Sequence, residues 1–176
     1  TLESRAAYTL TIAPLVAFVV WGGQRVFGVL RRRWPLGTVL SLGQIAERDL
    51  SAQEVGAKAR HLALLAARRL RVAPGWVIPA SVFEAAGKGV DATPPRRTLR
   101  RLMVELEASG EPRFLIRSSF GAEDTHSAAA PGIYASVVWS RADGIEGLSR
   151  AIGEVWASWW SEQALANRAL DPERSS

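Results

Sequence analysis

Residues 6–24 carry no charged side chain, and the stretch Ile12-Ala13-Pro14-Leu15-Val16-Ala17-Phe18-Val19-Val20-Trp21 within them is apolar on every face of a helix. At about 1.5 Å per residue, a helix of that length spans the roughly 30 Å hydrocarbon core of a bilayer. Thr9, Thr11, Pro14 and the Gly22-Gly23 pair weaken the pattern in ways that membrane helices tolerate. Trp21 suits the interfacial zone, and Arg25, Arg31, Arg32 and Arg33 follow it. By the positive-inside rule the arginine side faces the cytoplasm. The segment is expected to be an N-terminal transmembrane helix. Residues 1–34 then form a membrane anchor with a basic flank, in contact with the bilayer over 6–30, and a cytoplasmic folded part occupies 35–176. A buried core or interfacial helix and a cleaved signal peptide are the rival readings. A signal peptide carries its positive charge before the apolar region, and here the charge comes after. A core helix is more often amphipathic. The chain begins at Thr1, not at a methionine, and the number of spans stays open.

Composition removes several classes of chemistry. The chain has no cysteine, which excludes disulfide scaffolds, zinc-thiolate sites, iron–sulfur clusters and cysteine nucleophiles. Its two histidines, His61 and His126, are too few for a multi-histidine metal site and read as ordinary structural or surface residues. No metal ligand is assigned. The net charge is +5, but without Arg25 and the Arg31-Arg32-Arg33 run the balance falls to +1. A nucleic-acid binder usually spreads its basic side chains along a groove-tracking face, so no nucleic-acid partner is expected.

Beyond Trp34-Pro35-Leu36-Gly37, a linker by its proline and glycine, strands and helices interleave. Strands are expected at 38–42, 76–78, 114–116 and 134–139. Ser51-Ala52-Gln53-Glu54 has capping-box spacing, and one helix is expected from there to about Leu70, with Val55, Ala59, Leu62 and Ala66 on one face. A short helix runs from Ser81 to near Gly87. A basic amphipathic helix covers 96–108, with Leu99, Leu102, Met103 and Leu106 inward and Arg96, Arg97, Arg100 and Arg101 outward. Asp143-Gly144-Ile145-Glu146 repeats the box spacing ahead of a long helix to about Ala169. The fold class is α+β or α/β.

A Walker A loop, a dinucleotide glycine fingerprint, a zinc-protease helix and a nucleophile elbow are all absent. Two smaller features remain. Val55-Gly56-Ala57-Lys58 sets a glycine and a lysine in the first turns of the capped helix. That suits a phosphate, although a lysine on a helix is usually just solvated. Phe114-Leu115-Ile116-Arg117-Ser118-Ser119 runs from a hydrophobic strand into a small-residue loop with two acids. An arginine with hydroxyls suits phosphate oxygens, and the alternative is a structural pair of Arg117 with Glu123 or Asp124.

Taken together with their flanks, these blocks resemble the nucleotide-binding domain of the phosphoenolpyruvate synthase and pyruvate phosphate dikinase family. Val55-Gly56-Ala57-Lys58-Ala59-Arg60-His61-Leu62 is similar to that family's VGGKAANL, and Val72-Ala73-Pro74-Gly75-Trp76-Val77-Ile78-Pro79-Ala80 to its P-P-G-F-V-I element. Arg117-Ser118-Ser119-Phe120-Gly121-Ala122-Glu123-Asp124 looks like its RSSATAED. Gly132-Ile133-Tyr134-Ala135-Ser136 looks like its GQYDS, and the block from Val155 to Ala164 like its VWASLWSERA. Five blocks in order over 38–168 make the resemblance specific. Rifampicin phosphotransferase shares the domain, so the resemblance names a superfamily and not a substrate.

The resemblance implies the first lobe of an ATP-grasp-type nucleotide-binding domain, with ATP as cofactor. It implies that Lys58 and Arg117 contact ATP phosphates, that Gly56, Ser118 and Ser119 belong to the same binding site, and that Arg117 is the catalytic group. Family members pass a phosphoryl group from ATP to a carrier histidine, and then to pyruvate or another acceptor. The second lobe with its magnesium-binding carboxylates, and the phosphohistidine domain, are expected beyond Ser176, in cis or in trans. Magnesium would therefore come through residues not in this chain, and the chain is not expected to catalyse alone. Two blocks depart from the pattern, and the given sequence stops short of the family's second lobe. Ala57 replaces a glycine, Ala128-Ala129-Ala130 stands in the family's ASFAGQ stretch, and Ile133 replaces a glutamine. The Ala57 change is mild; the Ala128–Ala130 and Ile133 departures, with the stop at Ser176, motivate the alternative function, a non-catalytic, degenerate, membrane-tethered binding module.

Overall fold

Short apolar runs bounded by proline, glycine and serine become the strands of one mixed sheet. A computed structural model describes residues 17–19, 34–87, 89, 91–119 and 132–169. In chain order the elements are β1 (Ala17–Val19), β2 (Leu40–Ser41), α1 (Leu42–Glu47), α2 (Ala52–Val55), α3 (Ala57–Ala67), β3 (Trp76–Ile78), α4 (Ala80–Ala86), α5 (Arg96–Ala108), β4 (Arg113–Ser118), β5 (Ser136–Ser140), α6 (Gly144–Ala157) and α7 (Glu162–Ala169). The strand order is β2-β3-β1-β4-β5. β1 runs parallel to both β3 and β4, and the edge strands β2 and β5 pair antiparallel. The α+β expectation holds.

The expected transmembrane helix does not hold at residues 17–19. They form the central strand, with Phe18 paired to Val77 on one side and to Arg117 on the other. The physical reason is an ambiguity of pattern. A parallel strand buried on both faces reads as a continuous apolar run, which periodicity alone cannot tell from a buried helix. The β-branched and aromatic residues Val16, Phe18, Val19 and Val20 favour the strand. Among the described residues no helix is long and apolar enough to cross a membrane. The rest of 6–24 and the arginines up to Arg33 lie outside the described residues.

Each face of the sheet carries its own core. On one face Ile78, Phe114, Ile116 and Trp139 pack with Val82, Phe83, Leu99, Leu102, Leu106, Leu148, Ile152 and Trp156, from α4, α5 and α6. Aromatic edges and faces lock this layer. Phe83 meets Trp156 edge-on with centroids 4.7 Å apart, and Phe114 stacks on Trp139 at 5.8 Å. On the other face Val77 packs with Leu40, Leu42, Ile45, Leu50, Val55, Ala59 and Ala63, from β2, α1, α2 and α3. Alternation along β3 explains the division, since Ile78 and Val77 point to opposite sides.

Strand β3 and helix α5 lie where the sequence puts them, and α5 buries Leu99, Leu102 and Leu106 beneath four exposed arginines. Three expectations are revised. The 51–70 helix is two helices, because Gly56 takes a φ of 83° that a helix interior cannot contain. The Ser51 box does form, with the Glu54 carboxylate accepting from the Ser51 amide at 3.0 Å. The second box forms three residues early, with Asp143 reaching back to the Ser140 amide at 3.0 Å, so α6 starts at Gly144. The last long helix breaks at Ser158–Trp160, where Ser158 Oγ accepts from the Ala135 amide at 3.1 Å and donates to the Val155 carbonyl at 2.7 Å.

The central position of β1 predicts that Phe18→Pro removes a ladder donor from inside the sheet and lowers unfolding stability by about 3 kcal/mol. Urea denaturation followed by tryptophan fluorescence measures it. An unchanged midpoint would return residues 17–19 to a role outside the sheet.

Candidate functional site

The C-terminal end of β4 and the N-terminal end of α3 meet through one glycine and one serine. β4 alternates, with Phe114, Ile116 and Ser118 buried toward α5 and α6, and Leu115 and Arg117 half-buried on the opposite face. Ser119 follows in the same alternation as Arg117, toward α3. It is fully buried, and its Oγ accepts a hydrogen bond from the Ala59 amide at 3.0 Å.

That bond answers a local deficiency. The ladder of α3 begins with the Arg60 amide on the Gly56 carbonyl at 3.0 Å, so the earlier amides of the first turn need acceptors from elsewhere. The residue before the helix is Gly56, which has no side chain to offer. Ser119 supplies from a distant strand the oxygen that an N-cap serine would supply locally. Gly56 cannot be larger. Its positive φ disfavours a side chain, and a Cβ there would overlap the carbonyl oxygen and Oγ of Ser119. The bare glycine and the capping serine are two halves of one contact.

Of the five residues expected at the site, Gly56, Ser118 and Ser119 are buried, and Lys58 and Arg117 are half-buried. Lys58 sits at the second position of α3, next to the amide that Ser119 holds. Arg117 sits two residues before Ser119 and is paired in register with Phe18 and Ser136. The structure therefore brings the two sequence blocks together. It also separates their positions: Ser119 caps α3, Ser118 faces the opposite core, and Lys58 and Arg117 stay half-buried. Sequence reasoning missed Ser119 as a cap. The only signal was a helix start lacking its own capping side chain, and the partner lies sixty residues away.

The two later blocks also meet. Tyr134 stacks on Trp159 with centroids 5.8 Å apart and an interplanar angle of 14°, beside the Ala135 to Ser158 hydrogen bond. Ile133 is half-buried. Residues 120–131, with Glu123, Asp124, His126 and Ala128-Ala129-Ala130, lie outside the described residues. Among the described residues no group of three His, Asp or Glu side chains could hold a metal ion.

The Gly56–Ser119 contact predicts unequal losses. Gly56→Ala costs about 3 kcal/mol or more, through backbone strain and overlap. Ser119→Ala costs about 1–2 kcal/mol, as a helix cap is lost and a buried amide stranded. Chemical denaturation of both variants checks the order, and negligible effects in both would show that the two elements do not meet this way.

Comparison with known families finds a match over part of the chain. Residues 95–172 match a family model described as pyruvate phosphate dikinase, AMP/ATP-binding domain. The stretch contains Arg117-Ser118-Ser119 and the two later blocks, and it leaves Gly56 and Lys58 outside. The resemblance read from the sequence is borne out over those residues. Neither the curated proteins nor the solved structures yield a match.

Proposed function

We propose that this chain, whose residues 95–172 match the pyruvate phosphate dikinase AMP/ATP-binding domain model, is the nucleotide-binding part of a phosphotransferase related to phosphoenolpyruvate synthase. In this reading it is the first lobe of an ATP-grasp-type domain. One observation carries the reading: the Ser119 hydrogen bond to the first turn of α3, which joins the block holding Arg117 to the block holding Lys58. Both cations are half-buried, which suits groups that receive a polyanion at the surface without being lost to solvent.

The residues present fit a nucleotide's phosphates. The N-terminus of α3 favours negative charge through its dipole. Lys58 adds a point charge, and Arg117 adds a planar fork that matches phosphate oxygens two at a time. A lysine and an arginine so disposed stabilise charge that shifts among phosphate oxygens as a phosphoryl group leaves, which is the role we assign to Arg117. Ser119 and Gly56 keep the two cations in register and touch no substrate. Magnesium, the second lobe, the carrier histidine and the acceptor, pyruvate or another, belong in this reading to residues beyond this chain.

Isothermal titration with ATP and magnesium tests the reading. Lys58→Ala and Arg117→Ala are each expected to weaken ATP at least about tenfold, the loss of a charge-assisted contact, with the melting midpoint preserved. Unchanged affinity in both would sink it. A stably folded chain that takes up no nucleotide would favour the non-catalytic binding module, which the Ile133 departure motivates.

A further inference from the structure

Helices α1 and α3 end in the same way, with opposite outcomes for their apolar residues. After α1 the Leu50 amide returns to the Ile45 carbonyl at 3.1 Å and the Asp49 amide to Ala46 at 3.2 Å, with Asp49 at a φ of 45°. After α3 the Leu70 amide returns to Leu65 at 3.1 Å and the Arg69 amide to Ala66 at 2.9 Å, with Arg69 at a φ of 60°. Both are Schellman motifs, in which an apolar pair closes over the helix end. The first pair is buried, Ile45 at 1% and Leu50 at 3% exposure. The second is open, Leu65 at 37% and Leu70 at 54%.

The open pair is framed by charge of one sign. Arg68, Arg69 and Arg71 are exposed, and none of them makes an ion pair among the described residues. The sequence carries no Asp or Glu between Glu54 and Glu84. Arg69 also holds the left-handed position that glycine fills without strain, so a cation is kept there against the local backbone preference.

We infer that the C-terminal end of α3 is a docking surface for an anionic lipid bilayer. Size argues for a membrane over a protein partner. A stable protein interface covers about 800 Å² on each side and draws on roughly 20–30 residues, against the two leucines and three arginines of this patch. A bilayer requires no shaped counterpart. Each arginine near an anionic surface raises partition about fivefold and three together about a hundredfold, while Leu65 and Leu70 enter the headgroup boundary. Eleven residues of helix, about 16 Å, separate this end from the Gly56–Ser119 contact. The inference stands independently of the nucleotide reading.

Co-sedimentation of the full chain with phosphatidylcholine vesicles, with and without phosphatidylglycerol, tests it. The unsubstituted chain is expected to partition onto the anionic vesicles only. Combining Arg68→Gln, Arg69→Gly and Arg71→Gln is expected to lower that partition about a hundredfold. Arg69→Gly alone is expected to weaken it about fivefold while raising the melting midpoint, because glycine relieves the left-handed backbone. A purely structural Arg69 would give the second effect without the first. Partition that survives the triple substitution, or that ignores lipid charge, or that is absent from the outset, overturns the proposal.

Discussion

The hydrogen bond from the Ala59 amide to Ser119 Oγ is the contact on which the candidate site depends. It ties the last residues of a sheet strand to the first turn of a helix on one face of that sheet. A helix cap contributes about 1 kcal/mol, a modest share of stability. Its larger effect is positional. Because the bond is buried and directional, it fixes where the first turn of α3 lies relative to β4, and with it the spacing between the positions of Lys58 and Arg117. The overlap that any side chain at Gly56 would create removes the alternative packings.

The two cores serve that junction. Trp139, Phe114, Phe83 and Trp156 make the α5–α6 face of the sheet rigid through aromatic contacts. The face carrying α1, α2 and α3 is built from smaller residues, Ala59 and Ala63 among them. Small side chains let α3 lie close to the strands, which brings a backbone amide within reach of a serine hydroxyl. Bulk on one face holds the sheet, and its absence on the other lets the helix approach.

Much of this was legible in the sequence wherever a local rule decided the outcome. Trp76–Ile78 and Arg96–Ala108 needed only a breaker before them and a regular period within them. The helix breaks at Gly56 and Ser158 were hidden, because each depends on a partner elsewhere, Ser119 for one and Ala135 for the other. β1 was misread because a run of apolar residues suits a membrane helix and a central parallel strand alike. The same limit applies to the site. Lys58 and Arg117 could be singled out by residue type, but the burial of Ser118 and Ser119 follows from strand alternation and packing.

The placement of β1 also governs the order in which the chain can assemble. Ala17 pairs with Trp76 on one side and with Ile116 on the other, so this strand must find a slot whose far wall emerges from the ribosome about a hundred residues later. Such pairing carries a high contact order and a large loop-closure entropy, both of which slow folding. Until β4 exists, β3 and β1 can form at most a partial sheet with an open apolar edge. Synthesis of the chain therefore includes an interval in which that edge needs shielding, by a chaperone or by the speed of elongation, before the sheet can close.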